Sequence, residues 1–200
     1  MNEKFFDLKK EKQDRMINAA LKIFSMRGYQ FASTDDIEKE AGISKGLLFH
    51  YFGSKSGLYS FIYDYSVRFM SMELRAAVDA EETNFFTLYK QIETGRLQAL
   101  KNYPCMQLFL EKFNTETAAE ALAATCEKKK ELAALYDAFD AQADLGLLPA
   151  DTDSAKLRNI LRFSLKNLME EHFASGSFQV EALYQENIAY IEFLEKFFTK

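Results

Sequence analysis

Apolar residues along this chain recur every three or four positions, the spacing of amphipathic helices, and short polar or glycine-containing breaks separate the runs. Over 14–27, Met16, Ile17, Ala20, Leu21, Ile23 and Phe24 fall at helical spacing and Gly28 follows as a stop, which predicts a first helix. Ile37 and Ala41 share a face in a second, shorter run, and Leu48 and Phe52 do so in a third, with Ile43 between them. These five are predicted to bury together, with Tyr29 and Phe31 filling the gap to the first helix. Ser33 reads as the N-cap of the second run, its hydroxyl placed to accept from the Asp36 N–H, while Asp35, Asp36 and Glu38 put negative charge near its positive end. Gly42 is placed to end that helix in a left-handed conformation, and Ser44 to cap the next. Two short helices meeting at a tight turn cannot bury a core alone, so the first helix supplies the support that a helix-turn-helix needs.

The pattern then lengthens. Gly53-Ser54 forms a turn, with Ser54 as N-cap of a helix over 54–80 whose opening N–H groups and Lys55 are placed for an anion. Five further runs follow at 84–102, 104–113, 116–145, 153–174 and 179–198. Pro104 suits a first helical turn, and the breaks fall at Asn114-Thr115, at 146–149 and at 175–177. Strand-type alternation, internal repeats and low-complexity linkers are missing, so the fold class is all-α with about nine helices.

Charge changes the picture only when divided. The chain carries a net −5, yet residues 1–60 hold ten Lys/Arg against eight Asp/Glu, and the acidic excess lies beyond them. A DNA footprint needs only a local basic surface, so the overall sign does not argue against nucleic acid. The cation-leaning start around Lys9, Lys10, Lys12 and Arg15 reads equally as an arm toward DNA or as a solvated helix start. Cys105 and Cys126 lack metal-ligand or redox spacing, and the N-terminus has no apolar run for export, which reads as a reduced, cytoplasmic protein. No stretch approaches the ~18 consecutive apolar residues of a membrane span.

The series Ile37-x-x-x-Ala41-Gly42-Ile43-Ser44-Lys45-Gly46, continued by Phe49-His50-Tyr51-Phe52 and Ser54-Lys55, resembles the DNA-binding domain of TetR-type transcriptional regulators. The resemblance covers 11–60; the remainder matches in general layout. It implies a helix-turn-helix domain at 1–53 and a larger effector-binding and dimerisation domain at 54–200, with 54–80 as the connecting helix. A homodimeric repressor on a palindromic operator, released by a small molecule, is the implied function. Phosphates would be held by Ser33 or Thr34, His50, Tyr51, Lys55 and the N–H groups opening the long helix, which position without reading sequence. Base edges would be read by Lys45 and the surface around Ser44, Gly46 and Leu47: lysine donates to guanine, leucine touches a thymine methyl, and glycine permits close approach. The chain departs from the family pattern at Glu38, where a small residue is usual, at Leu47, where a polar one is frequent, and at Phe49, where tyrosine is usual. Without that hydroxyl, either Phe49 turns into the core or one phosphate bond is lost.

In the larger domain, Phe69, Met72, Phe85, Phe86, Tyr89, Tyr103, Met106, Phe109, Phe113, Tyr136, Phe139 and Phe163 offer core or an apolar effector cavity, with Asn167, Lys166 or Glu111 as polar groups for a lipophilic or aromatic ligand. The last two helices carry apolar residues on more than one face, and a surplus of that kind serves either one central core or a second copy, as in the resembled family. Leu161, Leu165, Leu168, Tyr184, Ile188, Ile191 and Phe198 are the candidates for that dimer contact. Enzyme chemistry has little to draw on: His50 belongs to the motif, His172 sits near a helix end, and no nucleophile elbow, phosphate loop or metal spacing occurs, so no cofactor or metal is expected. The remaining alternative is a helical protein-interaction module with a vestigial helix-turn-helix.

Overall fold

Helix α1, Lys10–Phe31, forms where the first apolar run is longest, and every residue of that run from Met16 to Phe24 named above is buried. Its regular course is interrupted at Gly28, which takes φ 68°, so the predicted stop is real even though helical turns resume for three residues. In this computed structural model, residues 3–125, 129–145 and 148–198 are described, and Cys126 and the 146–147 part of the predicted break lie outside them. Among the described residues the chain forms ten α-helices and no strand. After α1 come α2 (Thr34–Ala41), α3 (Leu47–Phe52), α4 (Lys55–Ala77), α5 (Phe85–Asn102) and α6 (Met106–Phe113). The run expected over 116–145 is described as α7 (Ala119–Thr125) and α8 (Lys129–Gln142), followed by α9 (Ser154–Ala174) and α10 (Val180–Phe198). No helix among the described residues is long and apolar enough to cross a membrane.

By packing, the chain divides into two compact units, each drawn from two stretches of sequence. The first comprises Met1–Phe69 with Asn102–Leu132. Its core is aromatic. Phe24 of α1 meets Tyr59 of α4 edge-on at 4.9 Å, Tyr59 meets Phe109 of α6 at 5.4 Å, and Tyr63 lies 4.0 Å from Phe113. Edge-on pairs of this kind suit the ring quadrupole and add to the area they bury. The buried Tyr103 hydroxyl donates to Asp14 at 2.6 Å and shares a 2.6 Å hydrogen bond with Tyr65, so its polar end is satisfied within the core. Phe5, in a short turn before α1, is also buried, against Tyr51, Phe52 and Phe61, which anchors that turn on the domain. Phe31 does the opposite of what its apolar character predicts. It follows the Gly28 break and is 75% exposed, leaving Tyr29 alone to fill the gap.

The second unit comprises Met70–Lys101 with Ala133–Lys200. Helices α9 and α10 pack through Leu157, Leu161, Leu165, Leu168 and Met169 against Leu183 and Ile191, all buried. A polar group is folded in beside them: buried Glu93 accepts from Asn187 Nδ2 at 2.8 Å and from Arg96, whose Nε donates to Tyr136 at 3.1 Å. The burial of Leu161, Leu165, Leu168 and Ile191 inside a single chain corrects their assignment to a dimer contact. Four of the seven candidates are spent on the unit's own core. The apolar residues left outward on the same two helices are Ile160, Phe163, Tyr190, Phe193 and Phe197. Tyr184, Ile188 and Phe198 are half-buried, Tyr184 sharing a 3.3 Å hydrogen bond with Thr94 and Phe198 lying 6.5 Å from Phe86.

Candidate nucleic-acid interface

Helix α2 starts at its N-cap Ser33, whose hydroxyl accepts from the Asp35 N–H at 3.2 Å, one residue nearer than the sequence reading placed it. It ends at Gly42 in the left-handed conformation, φ 63°, with Ile43 N–H returning to Glu38 O at 3.0 Å. Ile37, Ala41 and Leu48 are buried, and Ile43 and Phe52 partly so, which places α2 and α3 across the turn as a helix-turn-helix. Ser44 does not cap α3. The N-cap position is Gly46, at φ 82°, and no side chain of its own caps the helix.

That role falls to Glu38, a residue of α2 only 4% exposed. Its Oε1 accepts the Gly46 N–H at 2.6 Å and lies 3.4 Å from the Leu48 nitrogen. A carboxyl group reaching across the turn thus takes the N–H groups of the N-cap residue and of the second helical residue, while the first, Leu47 N–H, donates to Ser44 O at 3.2 Å. At its other end α3 is held by close approach. A Cβ built on Gly57, in the first turn of α4, would stand 2.1 Å from the Phe52 carbonyl oxygen, so only glycine fits. Ser54 caps α4 as predicted, accepting from the Gly57 N–H at 3.0 Å.

Around this frame Ser44, Lys45, Gly46 and His50 are exposed and Leu47 is partly so, which brings the proposed base-reading residues together on one corner. Lys45 Nζ lies 3.6 Å from an Asp35 carboxyl oxygen, both groups largely solvated, a contact of little energetic weight. Phe49 is exposed, so it has not turned into the core. Tyr51 is half-buried beside Phe5 and 4.9 Å from the His50 ring.

Lys55 is turned toward its own unit. Its Nζ donates to Gln30 O at 3.3 Å and stands 4.5 Å from the centre of the Tyr29 ring, a cation–π distance. Tyr29 N–H in turn donates to Glu116 at 2.9 Å, and Glu116 also accepts from the N–H groups of Thr117 and Ala118. Burial works to raise the Glu116 carboxyl, but these backbone donors and the nearby lysine hold it below its usual range. The Tyr29 hydroxyl is pushed up to about 12 by burial, with Glu120 beside it as the second cause. The 116–120 segment thus borders the lysine expected to hold phosphate.

The aromatic effector candidates are divided between the units. Phe69, Tyr103, Met106, Phe109 and Phe113 belong to the first, the last four fully buried in its core. Tyr89, Tyr136 and Phe139 belong to the second, where the Tyr89 hydroxyl donates to Asp140 at 3.1 Å. Met72 and Phe163 are exposed, and Asn167 is exposed with its amide on Glu171 at 2.7 Å. A depression of about 350 Å³ lies elsewhere in the second unit, between Pro149, Thr152, Lys156, Ile160 and Phe197. No group of three His, Cys, Asp or Glu side chains among the described residues is arranged to hold a metal ion. Two roles escaped the sequence: Glu38 stood out as charge and as a departure from the family pattern but not as a cap across the turn, and Phe5 was not singled out as core. A glutamate at an otherwise apolar helical position next to Ile37 was the available signal for the first.

Residues 16–60 match the family model of bacterial regulatory proteins of the tetR family. That stretch, from α1 through the turn into α4, is a TetR-type DNA-binding domain by sequence. A stretch of 49 residues is 47% identical to the uncharacterized HTH-type transcriptional regulator YuxN of Bacillus subtilis, taking in 24% of this chain and 17% of that protein. Similarity of fold extends further. A TetR family transcriptional regulator from Chloroflexus aurantiacus aligns over 100% of this chain and 98% of its own at 20% identity, with a TM-score of 0.63. The fatty acid degradation regulator FadR from Bacillus halodurans aligns over 89% and 96% at 16% identity, with a TM-score of 0.57. At these identities the likeness is one of fold, and it extends beyond the 16–60 match to the rest of the chain.

Proposed function

We propose that this chain is a homodimeric, ligand-responsive transcriptional regulator acting in the cytoplasm, a repressor that leaves a palindromic operator when a small lipophilic or aromatic effector binds. The observation that carries the reading is the exposed corner Ser44–Lys45–Gly46–Leu47, held on a helix-turn-helix whose Ile37, Ala41 and Leu48 are buried. Roles divide at residues 53/54, with 1–53 reading DNA and 54–200 sensing and dimerising. Ser33, Thr34, His50, Tyr51 and Lys55 hold phosphates while Lys45 and Leu47 read base edges. The outward Ile160, Phe163, Tyr190, Phe193 and Phe197 support a second copy as partner, because rings on two adjoining helices otherwise face water. Two recognition helices about a two-fold axis would meet half-sites ~34–36 Å apart. The fatty acid degradation regulator among the fold relatives supports a lipophilic effector in kind. Such a ligand acts by shifting α4, and a coupling of about 1–3 kcal/mol gives 5–150-fold release.

The test is selection of the purified protein against random duplexes at fixed, near-physiological salt, since phosphate contacts alone hold any duplex weakly. Enrichment of a palindrome is the expected result. Retention that follows salt and enriches nothing overturns the reading.

A further inference from the structure

The corner that reads DNA is anchored by packing only at Leu48, and its Lys45–Gly46 side has none. Nothing lies within 4 Å of where a Gly46 Cβ would be, Lys45 is solvated, and the Asp35 contact to it is exposed on both sides. Gly46 itself, at φ 82°, is a residue for which many other conformations are equally open. The six residues of α3 are too few to hold themselves as a helix. Beside the turn bond from Leu47 N–H to Ser44 O at 3.2 Å, what ties this backbone to the rest of the domain is one buried carboxyl group, Glu38 Oε1, on the N–H groups of Gly46 and Leu48. Those two residues bracket Leu47 and adjoin Lys45, so the bond sets where both reading side chains leave the backbone.

We infer that Glu38 is a positioning residue for sequence recognition: by accepting from Gly46 and Leu48 it fixes the register of Lys45 and Leu47 against base edges, touching no DNA itself. The inference rests on the DNA-reading function proposed above. It separates two quantities that a general loss of structure would move together. The phosphate contacts offered by Ser33 and Thr34 at α2 and by Lys55 and the opening N–H groups of α4 stand on other backbone than Gly46, so most of the affinity for an arbitrary duplex stays while preference for the operator goes.

The experiment uses the full chain and the Glu38→Ala, Glu38→Gln and Glu38→Asp variants, with fluorescence anisotropy on the selected operator and on a scrambled duplex at one salt concentration, and thermal melting alongside. In Glu38→Ala the operator-to-scrambled affinity ratio falls about tenfold or more. Its affinity for the scrambled duplex stays within about twofold. Glu38→Gln keeps an oxygen acceptor at the same reach and holds the ratio within about threefold of the parent, whereas Glu38→Asp keeps the charge, loses the reach and behaves like the alanine variant. If Glu38→Ala does not fold, the contrast between Gln and Asp decides. An unchanged ratio in Ala and Asp, equal weakening on both duplexes, or a Gln variant as poor as Asp overturns the inference. A parent protein with no duplex preference is a different result, one that removes the DNA-reading function before any variant is compared.

Discussion

Lys45 and Lys55 are ten positions apart and differ in everything that decides a lysine's role. Lys45 is solvated at the exposed corner, free to donate to a base edge, while Lys55 lies over the Tyr29 ring with a backbone oxygen as partner. Lys45→Ala should therefore relax sequence preference, losing about 1–3 kcal/mol of discrimination at one base pair. Lys55→Ala should weaken binding to every duplex alike and lower the salt slope by about one. Titration of operator and scrambled duplexes across a salt series separates the two, and exchanged phenotypes would refute the assignment. At this scale the sequence was readable where one residue type answers to one geometry: Gly42 and Ser54 cap where they were expected to. It was not readable where a side chain bonds across a turn. Ser44 had the chemistry of a cap, but Glu38, eight positions before Gly46, had the reach, and no local pattern connects those two.

Helices were the most legible elements, because an apolar stripe and its caps are both local. The limits were reached at their packing. Leu161, Leu165, Leu168 and Ile191 carry the period of a helix face, but the period alone does not say whether the face meets its own chain or another. Gly57 shows the same point in reverse. As a residue within α4 it should favour replacement, since alanine is the better helix former by about 1 kcal/mol. Its contact with the Phe52 carbonyl says otherwise, as an added methyl would meet backbone that cannot yield. Gly57→Ala should destabilise the protein by about 1–3 kcal/mol in urea unfolding and weaken operator binding by disturbing the end of α3. A gain in stability would mean that the two helices do not meet as closely as described.

For the whole molecule, the outward rings of α9 and α10 make the strongest demand. Phe193 is 58% exposed, so Phe193→Asp removes apolar surface without opening the core, and should give monomers on a sizing column with the melting temperature of the separated chain unchanged. A dimer of undiminished stability would place the second copy elsewhere. The same charge at Ile191, which is wholly buried, would unfold the unit and report nothing about association. The first packing unit bears on how the protein can be taken apart. Its aromatic core takes Phe24, Tyr59 and Tyr63 from one stretch of chain and Phe109 and Phe113 from another some fifty residues on. A fragment ending after α3 or α4 would carry the reading corner intact in sequence but with those rings bared to water. The DNA-reading part is therefore no detachable cassette: grafting it onto a different sensor requires that α6 and its flanks be carried along or rebuilt.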